Sequence, residues 1–200
     1  MVILDDKARK ITSDDIMPID EYRKIRKEHR KSLIEKKALR RVHVGPFVLF
    51  HFENFVTLWS QIQEMLFIEG GGDDQIKDEL EAYNPLMPNG DELVSTMLIE
   101  IEDADRRKKQ LHMLGHIEDK ISININSEKV LALPTDDTER TNSDDKTSSV
   151  HFLHFKFNKQ QKELFKDKNQ VAYISIEHEN YNHSAILTDE VRESLINDFK

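Results

Sequence analysis

Apolar residues recur at three- and four-residue steps through the early part of the chain and gather into short Val/Ile/Phe runs later, a pattern of helices first and strands afterwards. Tyr22, Ile25, His29 and Leu33 mark one narrow stripe through an otherwise basic helix that begins near Pro18. Proline lacks the N–H that a first turn would leave orphaned, and Asp20 and Glu21 put negative charge where the helix dipole favours it. Val42–Phe52 has strand composition, with a bend or edge at Gly45-Pro46. Phe55–Ile68 is the clearest helix: Phe55, Leu58, Trp59, Ile62, Met65 and Leu66 share a face, and Gly70-Gly71-Gly72 closes it. A shorter helix, Asp74–Tyr83, places Ile76, Leu80 and Tyr83 on one side before the turns at Asn84-Pro85 and Pro88-Asn89-Gly90.

Strand-like runs follow at Thr96–Glu102, Lys120–Ile125, Lys129–Leu133, Val150–Phe157 and Val171–His178. Helical segments are expected at Arg106–Leu114, Lys159–Phe165 and Thr188–Phe199, the last with Thr188 as its N-cap. Residues 135–149 contain nothing apolar and read as a flexible acidic loop between strands. The expected fold is α+β, with N-terminal helices packed on a largely antiparallel sheet of about five or six strands. Residues 1–18 form a polar lead-in and 19–200 a single domain; no internal repeat is present.

Composition narrows the chemistry. The 200 residues include no Cys, which excludes disulfides, thiolate zinc sites, a self-ligated iron–sulfur cluster and a cysteine nucleophile. The N-terminus meets acid too early for a secretory signal, and no apolar run approaches the ~20 residues of a membrane span, so a cytoplasmic location without membrane contact is expected. Charge is unevenly placed. Ten Lys/Arg and two Glu between Arg23 and Arg41 give that segment +8, leaving −17 on the rest of a chain whose net charge is −9. Either this basic helix lies on its own acidic body or it docks an acidic partner through Arg23, Arg26, Lys27, Arg30, Arg40 and Arg41. Nucleic acid is disfavoured, because the −17 remainder repels phosphate and Tyr22 is the only aromatic nearby.

No phosphate-cradling glycine loop or G-x-S-x-G elbow is present: Gly70-Gly71-Gly72 follows a helix and abuts Asp73-Asp74. His112 and His116 stand four apart but without a base between them, and His151 and His154 fall on opposite faces of a strand. Phase singles out other residues. Glu69 and Glu79 fall inside apolar helix faces, His178 shares a strand face with Ala172, Ile174 and Ile176, Glu100 shares one with Leu98, and Glu53 ends a strand. Inward carboxylates and imidazoles are costly unless compensated. Either Glu53, Glu69, Glu79, Glu100 and His178 converge on a divalent metal (iron, manganese or zinc) or a substrate, or each pairs separately with Arg40, Arg41, Arg106 or a backbone donor or simply sits at a frayed element end.

Taken in combination, Arg40-Arg41-Val42-His43-Val44-Gly45-Pro46, Phe52-Glu53-Asn54 with Thr57, Gln61–Met65 with Glu69, Glu79–Pro88, Ser95–Glu102, Val150–Leu153 and His178–Tyr181 carry a resemblance. From about Ile19 to its end the chain resembles a bacterial family known only as a domain of unknown function, often encoded beside rubrerythrin-like proteins and iron–sulfur oxidoreductases. The resemblance transfers no catalytic residue; it implies a role near peroxide handling, iron or electron transfer. Gly70-Gly71-Gly72 and the acidic loop depart from the family pattern. The leading expectation is a non-catalytic accessory protein acting with an acidic redox partner. Its alternatives are a metal-binding protein or metalloenzyme with a Glu/His site and, more weakly, nucleic-acid binding through the basic helix over 23–41.

Overall fold

The computed structural model describes residues 9–135 and 146–199. Along the chain run α1 (Ile19–Ala38), β1 (Arg41–Val44), β2 (Val48–Glu53), α2 (Phe55–Glu69), α3 (Gly72–Tyr83), β3 (Glu92–Ile99) and α4 (Ala104–Met113). They are followed by β4 (Ile121–Ile125), β5 (Glu128–Pro134), β6 (Val150–Lys156), α5 (Lys159–Lys166), β7 (Ala172–His178), β8 (Tyr181–Ile186) and α6 (Asp189–Ile196). The eight strands form one antiparallel sheet in the order β1-β2-β3-β6-β5-β4-β7-β8. Its two edges meet, so the sheet curls almost into a barrel. The Tyr181 hydroxyl on β8 donates to Val44 O at 2.7 Å and accepts from the Phe47 N–H at 3.3 Å, stitching the seam. Gly45 makes this closure feasible: its φ is +69°, and a Cβ there would lie 2.5 Å from the Tyr181 hydroxyl.

Strand alternation sends one row of side chains into the barrel and the other outward. The inner row, with Val44, Phe50, Met97, Leu153 and Ile174, builds the main core. Phe157, Phe165 and Phe199 close one end of it, and Leu111, Leu114 and Ile117 the other. A second core lies outside, where α1, α2 and α3 cover Val94 and Phe152 with Trp59, Ile62 and Leu66. Asn54 caps α2 by accepting from the Thr57 N–H at 3.0 Å, and Gly70, at φ +66°, ends it.

The sheet has eight strands where five or six were expected. Val42–Phe52 is not one bent strand but a hairpin, β1 and β2, folded at Gly45-Pro46-Phe47. The other missed strand, β8, is an edge whose Asn182, His183 and Ser184 face solvent, which removes the apolar alternation that reveals strands. Within the lead-in most of residues 10–18 are exposed, but Ile11 is fully buried and the Asn84 side chain bonds both its N–H and its C=O, at 2.8 and 2.9 Å. Of the acidic loop over 135–149, residues 136–145 lie outside the described residues; Thr147 is buried, and its N–H donates to Leu111 O.

Candidate functional site

Between α2, α3 and the outer face of the sheet lies a cleft of about 250 Å³. The sheet contributes Glu53, Thr96, Val150 and Phe152, and α2 contributes Thr57, Leu58 and Gln61. Tyr83, the last residue of α3, and Leu86 just beyond it close the cleft, with Lys37 at the C-terminal turn of α1. Glu53 is its most defined polar group. It ends β2, opposite Val94, so its side chain leaves the outer face just before α2 begins. One carboxylate oxygen accepts from the Thr96 hydroxyl at 2.7 Å and the other from the Thr57 hydroxyl at 2.5 Å, which fixes the group in place. Burial raises the Tyr83 hydroxyl above its ordinary value and the negative charge of Glu79, Glu53 and Glu69 adds to this, while a hydrogen bond with Gln61 lowers it. The phenol therefore stays protonated at neutral pH and serves as a neutral donor or acceptor.

Of the five residues selected by phase, only Glu53 lines this cleft; Glu69 and Glu79 act on its Tyr83 hydroxyl from outside it, and Glu100 and His178 lie elsewhere. Glu69 is exposed and Glu79 half-exposed; the Gln75 side chain donates to both, at 2.8 and 3.3 Å. Glu100 is exposed just past β3, beyond the point where Ile99 pairs with Val48. Opposite Phe47, it is six residue steps along β2 from Glu53, about 20 Å at ~3.3 Å per residue. His178 faces the core as its phase requires and is 7% exposed, but both ring nitrogens are engaged. Nδ1 accepts from the Asn180 N–H at 3.1 Å and Nε2 donates to Gly115 O at 3.1 Å, leaving no lone pair for a metal. A single convergent Glu/His centre is therefore not what these residues form, and among the described residues no group of three or more His, Asp or Glu is placed to hold a metal ion. His151 and His154 point to opposite faces as expected; His151 is buried, and His154 Nδ1 lies 3.1 Å from the Glu92 carboxylate.

The basic segment divides in two. Arg40 was expected on the docking surface, but it turns inward at the end of α1 and is 4% exposed. Its guanidinium pairs with Asp198 and donates to Phe52 O at 2.9 Å and Glu53 O at 3.0 Å, tying the C-terminus of the chain to β2. Arg26 forks onto Glu64 at 2.9 and 2.8 Å, lies 4.6 Å over the Phe67 ring and holds the Glu64 carboxyl below its usual range. Arg41 donates to His51 Nδ1 at 3.3 Å. The rest of α1 is different: Arg23, Lys27 and Arg30 border an open depression with Phe67, and Lys24, Lys27, Arg30 and Lys31 are exposed with no carboxylate within ion-pair reach among the described residues. Among the described residues Arg23 pairs only with the exposed Asp20 of its own helix.

The fold recurs elsewhere. A family model described as "Protein of unknown function (DUF3501)" matches residues 10–199. The chain belongs to this family. A crystal structure described as a novel protein of unknown function from Burkholderia pseudomallei K96243 is 34% identical, covers 96% of this chain and 100% of its own, and superposes with a TM-score of 0.88. No curated protein matches. Neither description names an activity, a ligand or a redox partner. Among the described residues no helix is long and apolar enough to cross a membrane.

In this DUF3501 chain the cleft residues that sequence phase passes over are Thr57, Gln61 and Thr96; Tyr83 falls on the apolar face of its helix, but as packing. The available signal was the spacing of Thr57 and Gln61, four apart on α2 and beside its apolar stripe. His51 went unremarked too. It faces outward beside Thr96, its partner across the sheet, and burial pushes its imidazole down to about 4, with Arg41, Lys37 and His43 acting in the same direction. It is thus uncharged at neutral pH and adds nothing to the positive surface.

Proposed function

We propose that this chain is a non-catalytic accessory protein that docks an acidic surface of a partner protein through the solvent face of α1. The observation that carries this reading is the set of exposed cations (Lys24, Lys27, Arg30 and Lys31) that no carboxylate of the described residues meets at ion-pair distance. Had the basic helix lain charge-first on its own acidic body, those side chains would point inward. Instead Tyr22, Ile25, His29 and Leu33 do, with His29 Nε2 2.8 Å from Ser60 Oγ. A folded acidic partner is favoured over nucleic acid because the chain outside 23–41 carries −17 and repels a long polyanion wherever it extends past the helix. Phe67, the aromatic at this face, is already covered by Arg26 and offers no open ring for a base. A redox protein is one partner of this class, on the strength of the resemblance.

A labelled oligoglutamate peptide probes the reading by fluorescence anisotropy. It should bind at 0.01 M salt and weaken towards 0.15 M, as the screening length falls from ~30 to ~8 Å. The triple variant Arg23→Glu/Lys27→Glu/Arg30→Glu should bind about tenfold more weakly, since each exposed ion pair contributes ~0.2–1 kcal/mol and reversal adds repulsion. Unchanged affinity in the triple variant rejects the docking face, and tighter binding of a DNA duplex than of the peptide puts nucleic acid in its place.

A further inference from the structure

We propose that the cleft around Glu53 is a binding site for a small molecule carrying a protonated amine and a compact apolar group. This stands apart from the docking face, which lies on the solvent side of α1. The argument starts from Glu53. Its two oxygens each accept one threonine hydroxyl, from Thr57 and Thr96, and a carboxylate oxygen has room for a further donor. No Lys, Arg or His nitrogen of the described residues reaches it at ion-pair distance, although Lys37 lines the same cleft. A fixed, half-buried carboxylate thus faces a cavity with no cation of the described residues at ion-pair distance, and a ligand ammonium could supply that charge-assisted contact.

The surroundings define the ligand. Glu79 and Glu69 act electrostatically on the same Tyr83 hydroxyl as Glu53 does, so around that hydroxyl carboxylates outnumber Lys37, the cation among the cleft's lining residues. Tyr83 and Gln61 supply neutral hydrogen-bonding groups beside the carboxylate. The remaining wall is apolar: Leu58, Leu86, Val150 and Phe152 offer an alkyl or aryl group a surface to cover. At about 250 Å³ the cleft admits an amine of a few carbons and no cofactor-sized molecule. Arg40, through its bond to Glu53 O, and Asn54, through its cap on α2, hold the anchor in position before any ligand arrives.

Titration of the ¹⁵N-labelled protein with n-butylammonium chloride, and separately with sodium butyrate at matched ionic strength, tests this. The amine should give saturable shifts at Thr57, Gln61, Tyr83 and Thr96 with about millimolar affinity, and butyrate should give none there. Glu53→Gln should weaken amine binding at least about tenfold, the loss of one ligand-to-carboxylate charge contact. Val150→Trp, at a position 39% exposed at the edge of the cleft, should block it while leaving the fold intact by circular dichroism. Absence of saturable shifts with the amine, equal shifts with butyrate, or undiminished binding in a folded Glu53→Gln or Val150→Trp protein would each overturn the proposal.

Discussion

Arg40→Met should destabilise the protein by about 3–5 kcal/mol in urea unfolding, because it strips one partner from a buried ion pair. The Asp198 carboxylate is 2% exposed and would stay buried without the guanidinium that now meets it. Phe52 O and Glu53 O lose their donors, and the Ser194 carbonyl loses one at 3.2 Å. The double variant Arg40→Met/Asp198→Leu should recover much of the loss, since removing both members of such a pair is far less harmful than removing one. A loss below about 1 kcal/mol in the single variant would mean that Arg40 belongs with the exposed cations of α1 after all. The distinction matters for function: a docking defect measured in an Arg40 variant reports the fold, whereas one in Lys27 or Arg30 reports the surface.

Trp59→Ala should cost a similar amount, about 3–5 kcal/mol, through the cavity it leaves in the outer core. Trp59 is fully buried; its ring meets Tyr22 edge-on at 6.1 Å and His29 at 5.3 Å, and its indole N–H donates to Asp15 O at 2.7 Å. One side chain thus joins α2, α1 and the segment before α1. Since it is the only tryptophan, the loss must be followed by far-ultraviolet circular dichroism and not by fluorescence. Trp59→Phe keeps an edge-on ring but not the N–H bond, and should fall well short of the alanine loss. If both substitutions left the midpoint unchanged, α1 would be held chiefly by the Arg26–Glu64 fork, and the second core would be packing without consequence.

The helical phases were legible because their stripes are dense. Tyr22, Trp59, Ile62 and Leu66 all face the body as their spacing requires. The inward direction of His178 was legible on the same grounds, but its role was not. What decides that role is the Gly115 carbonyl and the Asn180 amide, and no side-chain pattern encodes backbone partners. Glu53 stood out as an acid at the end of a strand. Thr57, Gln61 and Thr96 did not, because neutral polar groups raise no alarm in a periodicity and are assembled from α2 and β3 only by tertiary packing; Tyr83 showed its inward phase but not the hydroxyl's place in the cleft. Arg40 misled for a related reason. It continues a basic run in sequence, yet it sits at the point where α1 ends and the chain turns into the barrel, so its neighbours in sequence are exposed while it is not.

The claim on which the functional reading depends is that the outward face of α1 carries positive charge the protein leaves uncompensated. Amide shifts of the ¹⁵N-labelled protein on adding oligoglutamate at low salt test it most directly. The account predicts perturbations confined to Arg23–Lys31 and Phe67 that vanish at high salt. Shifts centred on another surface, or none along α1, would contradict it.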